Sequence, residues 1–169
     1  MGYKGAGKTA IASWLARKEF QEEYIPTVGM EFSEASCVVQ GRLWNLQLWD
    51  SAGKREYTIA PKIAFEGAAL VVIVLDLSCG DAAVLNEAHA YAEDVRRYFK
   101  HGIPILVIGN KEDLERKLPR EDVADFICSD PNMRYMELTP RNGHDEDLRN
   151  ALFSLMVQGL DASSAVRVD

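Results

Sequence analysis

Several features are scarce in this 169-residue chain, and each scarcity removes a class of protein. Cysteine occurs only at Cys37, Cys79 and Cys128, widely spaced and with no Cys-x-x-Cys, so the pattern holds neither a disulfide framework nor a zinc site. The three read as buried free thiols of a reducing compartment, which makes a cytoplasmic location the default expectation. Long hydrophobic runs are missing too: Ala68 to Leu75 is the longest, far short of the ~20 residues that span a bilayer. The first residues lack the charged-then-apolar order of a signal peptide. Basic residues number 19 against 26 acidic, and the resulting formal charge of −7 argues against nucleic acid and anionic membrane as partners. Repeats, low-complexity tracts and linkers are absent. The length suits one domain over residues 1–160 with a short tail, 161–169, and a core that needs no covalent staple.

What is present begins at the second residue. Gly2-Tyr3-Lys4-Gly5-Ala6-Gly7-Lys8-Thr9 fits G-x-x-x-x-G-K-[ST] without a mismatch, the pattern of a loop that cradles a phosphate chain. Its glycines let the backbone bend tightly and turn N–H groups inward toward the anion. Lys8 supplies a full charge at the terminal phosphates and Thr9 a hydroxyl for Mg²⁺. Ile11, Trp14 and Leu15 then start a helix whose N-terminal dipole favours the same anion.

Downstream, the chain alternates. A helix runs on from Ala10 to Arg17, followed by a Pro-containing exposed loop, Tyr24 to Gly29. Phe32 to Val39 and Leu43 to Trp49 flank Gln40-Gly41-Arg42 as an antiparallel hairpin. An irregular, partly helical stretch reaches Glu66. Ala69 to Leu75 and Ile103 to Ile108 are apolar without alternation, as strands covered on both faces are. Asp81 to Lys100, Arg120 to Cys128 and Asp145 to Leu160 read as helices, the last with Leu148, Leu152, Leu155 and Met156 on one face, and Met133 to Leu138 as a final strand. The order predicts a doubly wound, mostly parallel α/β sheet with one antiparallel edge.

A phosphate cradle does not choose between adenine and guanine, but its companions do. Thr27 follows in the exposed loop, Asp50-Ser51-Ala52-Gly53 ends the hairpin, and Asn110-Lys111-Glu112-Asp113 follows an apolar strand. This ordered set resembles the Ras-like small GTPases, and the hairpin with its flanks Val28 to Phe32 and Leu48 to Asp50 looks most like the Rab branch. The resemblance implies that Thr9 and Thr27 bring hydroxyls to Mg²⁺ and Asp50 holds it through water. It gives the phosphate contacts to Gly2, Lys4, Gly5, Ala6, Gly7, Lys8, Thr9, Ala10 and Gly53, and further nucleotide contacts to Phe20, Tyr24 and Thr27. At the base, Asn110, Lys111, Asp113, Thr139, Pro140 and Arg141 take the family's positions. A carboxylate at Asp113 can accept from guanine N1–H and the 2-amino group together, and adenine has no such donor pair. Read singly, the Asn110 stretch is an ordinary polar turn, Asp50 a strand-end cap and Phe20 a core residue. The implied cofactors are GTP/GDP and Mg²⁺, and the implied protein partners are effectors and exchange factors that meet Gln21–Glu31 and Gly53–Glu66.

The pattern is broken in several places. Lys54 stands where Ras-type enzymes have the glutamine that orients the attacking water; a lysine has three donors and no acceptor. Lys4 stands at a cradle position that is glycine in Ras and serine in many Rabs, where it crowds the water and an arginine finger or holds GTP more tightly. With Thr27, these are the expected catalytic-site residues. Glu137-Leu138-Thr139-Pro140-Arg141 replaces the usual Ser-Ala-Lys, and Pro140 has no N–H for the guanine carbonyl. Phe32 and Trp49 keep two of the three aromatic positions used for effectors, with Ala64 at the third. His89, His101 and His144 lack ligand spacing, and the last residues carry no prenylatable cysteine, so no direct membrane anchor is expected.

The function these readings support is a Mg²⁺-dependent GTP/GDP switch of the Rab type, slow in hydrolysis and active in trafficking or signalling. The alternative is a scaffold that binds guanine nucleotide without hydrolysing it; an ATP-using P-loop kinase or ATPase is disfavoured by Asp113. One expectation concerns the fold: the strand from which such a cradle hangs has only Met1 to represent it, leaving a central slot for which the apolar tail, Ala165 to Val168, is a candidate filler despite Arg167.

Overall fold

The computed structural model describes residues 1–16, 27–53, 65–100, 102–140 and 150–157. In chain order the elements are α1 (Lys8–Leu15), β1 (Met30–Val39), β2 (Arg42–Ser51), β3 (Val71–Asp76), α2 (Ala83–Tyr98), β4 (Ile105–Asn110), α3 (Arg120–Cys128) and β5 (Met133–Leu138), with residues 150–157 helical. Helices and strands fall where the sequence pattern puts them, within two residues at the described boundaries. The order is that of an α/β fold.

Hydrogen bonding divides the strands into two sheets. β1 and β2 pair antiparallel from Met30↔Ser51 to Val39↔Arg42, through a tight turn in which Gln40 and Gly41 both adopt positive φ (52° and 76°). β3, β4 and β5 form a parallel sheet in that spatial order. At the β3 edge away from β4, the Met1 carbonyl accepts the Val74 N–H at 2.9 Å and the Met1 amine donates to the Val72 carbonyl at 2.7 Å. Met1 therefore takes a strand-like place beside β3, and the cradle starts directly from it. Among the described residues no longer strand pairs there; the tail proposed as a filler lies outside them.

Both faces of the parallel sheet are covered, which is why its strands read as uninterrupted apolar runs. Ile73, Leu75, Ile105 and Val107 face a layer made by α2 (Val84, Ala88, Tyr91, Ala92, Val95) and α3 (Val123, Phe126). Val74, Leu106 and Ile108 face the other layer, where α1 (Ile11, Trp14, Leu15), the inner face of β1 (Ala35, Cys37, Val39) and the 150–157 helix meet. Burial of each large side chain contributes about 1.5–3 kcal/mol. Two expectations need adjustment. The last helix buries Phe153 and Val157 beside the expected Leu152 and Met156, with the expected Leu155 partly buried against the same cluster, so the covered arc is wider than the predicted face; Leu148 lies outside the described residues. Of the three free cysteines only Cys37 is buried; Cys79 is half-buried in the turn after β3 and Cys128 is exposed at the end of α3.

Candidate nucleotide site

The cradle is shaped by left-handed backbone. Gly5 and Gly7 have φ of 74° and 89°, and a Cβ at Gly7 would collide with Asn110 Nδ2. That close approach serves a hydrogen bond, since Asn110 Nδ2 donates to the Ala6 carbonyl at 2.8 Å and ties the end of β4 to the cradle. Lys8 opens α1 and folds its ammonium back over the loop, donating to the carbonyls of Gly2 (2.9 Å) and Tyr3 (3.1 Å). Burial pushes this ammonium below its ordinary range, while Asp50 and Glu87 pull it back up. An arriving polyanion would relieve the same penalty.

Beside Lys8 three oxygen-bearing side chains converge. Thr9 Oγ1 lies 2.9 Å from Thr27 Oγ1 and donates to Asp50 Oδ2 at 2.5 Å. They come from the first turn of α1, the loop before β1 and the end of β2, and nothing nearer than their folding brings them together. A hard, oxygen-only set fits Mg²⁺, which keeps several of its own waters and takes few protein ligands. Among the described residues no cluster of His, Cys, Asp and Glu offers a rival metal site. Gly53 closes this end, packed so tightly that a Cβ there would sit 2.6 Å from Lys4 Cα and 2.9 Å from Lys8 Nζ. Lys4 itself is exposed.

The far end gathers the base-site candidates. Thr139 Oγ1 donates to Asp113 Oδ1 at 2.8 Å, fixing the carboxylate from the β5 side. Asn110 Oδ1 is buried with no partner among the described residues. Lys111 adopts a left-handed φ of 65° and donates to Asp76 Oδ2 at 2.7 Å, which stretches its stem across the mouth between β3 and β4. Thr139 and Pro140 are buried at the end of β5. Ala10 follows Thr9 in α1. Phe20, Tyr24, Lys54 and Arg141 lie outside the described residues, as do Ala64 and His144.

Residues outside the sequence pattern complete the site. Asp76 is one, a buried acid at the end of an otherwise apolar strand, which was its only signal. Arg116 and Glu137 are others: Arg116 Nη2 meets Glu137 Oε1 at 2.5 Å and Tyr135 Oη donates to the same oxygen at 2.8 Å, so the loop after Asp113 is clamped to the end of β5.

A glycine cradle feeding a helix at the carboxyl end of a parallel sheet, with a hydroxyl and carboxylate cluster beside its lysine, defines a P-loop nucleotide-binding α/β protein. Comparison with known proteins gives the finer class. A model of the Ras family matches residues 1–158, and the chain belongs to that family. Its relatives include the Ras-related protein RabG2 of Dictyostelium discoideum, 28% identical over 144 residues (85% of this chain, 72% of the relative). The GTP-binding protein ypt1 of Schizosaccharomyces pombe is 27% identical over 143 residues, 84% of this chain and 70% of the relative. The Ras-related protein Rab11C of Nicotiana tabacum is 31% identical over 128 residues, 75% and 57% of the two chains. These place it among the Rab-like small GTPases.

Proposed function

We propose that the chain binds GTP and GDP with Mg²⁺ in this cradle and works as a Rab-like switch with slow hydrolysis. The observation that carries the reading is the convergence of Thr9, Thr27 and Asp50 beside Lys8. Thr9, Thr27 and Asp50 would hold the metal, which when bound would supply charge neutralisation at the phosphates. Lys8 gives its ammonium to the terminal phosphates, and the Gly53 N–H meets the γ-phosphate. Asp113, steadied by Thr139, reads the guanine N1–H and 2-amino group; Asn110 braces the base edge, and the Lys111 stem, stretched by Asp76, covers one face. Phe32 and Trp49, in edge-to-face contact at 5.3 Å on the outer face of the hairpin and 46% and 58% exposed, support effector binding next to the loop that carries Thr27. In this reading the protein acts in intracellular trafficking or signalling, cytoplasmic or peripheral to endomembranes through its partners; among the described residues no helix is long and apolar enough to cross a membrane.

Pro140 weakens base recognition, since one missing N–H costs about 1 kcal/mol, more where the acceptor is buried. Titration with labelled GDP and ADP in Mg²⁺ tests the assignment: guanine is favoured, by a narrower margin than in relatives with an N–H at this position, and equal affinities overturn it. Asp113→Asn lowers guanine affinity and shifts preference to xanthine, whose C2 oxygen needs a donor. The second reading, a guanine-nucleotide scaffold without hydrolysis, is favoured by Lys4, whose exposed cationic side chain starts from the cradle beside Gly53.

A further inference from the structure

Tyr3 lies inside the cradle, but its side chain leaves it. Its backbone carbonyl belongs to the loop, accepting from Lys8 Nζ and, at 3.2 Å, from the Ala6 N–H. The ring instead packs against the core on the α2 side of the sheet, and the phenol donates to Asp81 Oδ2 at 3.2 Å. Asp81 is held in turn, because its other oxygen accepts the Ala83 N–H at 2.9 Å where α2 begins. Over this anchored ring stands the Lys4 ammonium, 5.7 Å from the centroid, within the range at which an aromatic face attracts a cation. Lys4's backbone, meanwhile, lies close to Gly53 and to the Lys8 ammonium, so its flexible stem has both the ring and the proposed phosphate position within reach.

We infer that Tyr3 is a positioning residue that draws the Lys4 ammonium over its ring, in competition with the terminal phosphate, and that Asp81 fixes the ring for this task. The inference rests on the cradle holding a nucleoside triphosphate as proposed above. Lys4 has two resting places: over the Tyr3 ring, whose hydroxyl Asp81 holds, or on the γ-phosphate. Only the triphosphate offers the second in full, so the ring lowers the triphosphate's advantage over the diphosphate and keeps the switch from being locked by a second lysine.

Release rates of fluorescent GDP and of a fluorescent non-hydrolysable GTP analogue, measured at low and high salt, test it in the parent, Tyr3→Leu, Tyr3→Phe and each in a Lys4→Gly background. Removing the ring slows release of the GTP analogue relative to GDP by about two- to five-fold at low salt, less at high salt. Tyr3→Phe, which keeps the ring and loses the tether, falls between. In the Lys4→Gly background neither change alters the ratio of the two rates. If Tyr3→Leu speeds release of both nucleotides alike, with or without Lys4, Tyr3 is a packing residue and the inference fails while nucleotide binding stands. If neither guanine nucleotide binds the parent, the proposed function falls and takes this inference with it.

Discussion

At position 54 a member of the Ras family needs a side chain that accepts a hydrogen bond from the attacking water, and Lys54 has only donors to give. Lys4 is expected to compound the fault from the cradle side, because its exposed side chain starts beside Gly53 and competes for the space an incoming arginine needs. In related enzymes such an arginine is worth 10³–10⁵ in rate, and it needs both space and an oriented water. Intrinsic hydrolysis is accordingly expected to be slower than in a Ras-type enzyme and little helped in trans. Single-turnover rates for the parent, Lys54→Gln and Lys54→Gln with Lys4→Gly should rise in that order. A parent already as fast as the double variant would show that another residue orients the water.

Among the elements, β5 and the loop that follows β4 share the candidate base site, and the ion pair of Glu137 with Arg116 joins them beside the Thr139–Asp113 hydrogen bond. Burial alone pushes the Glu137 carboxyl up, but the Arg116 guanidinium, then the Tyr135 hydroxyl, outweigh it and hold the group below its ordinary value. A depressed carboxyl gives stability that is complete above the ordinary value of about 4.3 and is lost as pH falls through the lower folded value. Asp130, bonded to Arg96 at 3.0 Å, is lowered against its own burial by the Asn132 backbone and then by Arg96, and acts in the same window. Chemical denaturation from pH 7 to pH 3 should show Glu137→Gln costing on the order of 1 kcal/mol at pH 7 and less as the parent titrates. A constant difference across that range would mean the pair contributes nothing through charge. This clamp was not legible in the sequence, because its residues are far apart and none repeats at a helical or strand period. The cradle was legible because its local spacing and backbone conformation are tied together, whereas Asp50 and Asn110 to Asp113 became candidates only through the family resemblance. The full width of the buried face of the last helix was not, since Phe153 and Val157 join a cluster assembled from α1, the hairpin and the parallel sheet, and a single-stripe pattern covers a narrower arc.

Across the whole molecule, the hairpin and the parallel sheet are separate in hydrogen bonding, and the candidate metal site is where they meet. Asp50 belongs to the hairpin, Thr27 to the loop before it, and Thr9 to the helix that the cradle leads into from beside β3. A cation held by all three therefore fastens one half of the fold to the other, so binding should appear as stability of the entire domain. Ligand at a hundred times its dissociation constant adds about 2.7 kcal/mol, which for a domain of this size raises the melting temperature by roughly 5–11 °C. Mg²⁺ with GDP should give that rise. Mg²⁺ with ADP at the same concentration should give less, and GDP with a chelator should lose most of it. In Asp50→Ala the difference between metal and chelator should vanish while some GDP effect remains, because the cradle and the base loops are intact. A full rise in the chelator, or an Asp50→Ala protein that still responds to Mg²⁺, would remove Asp50 from the metal site and leave the two sheets joined through α1 and the shared core alone.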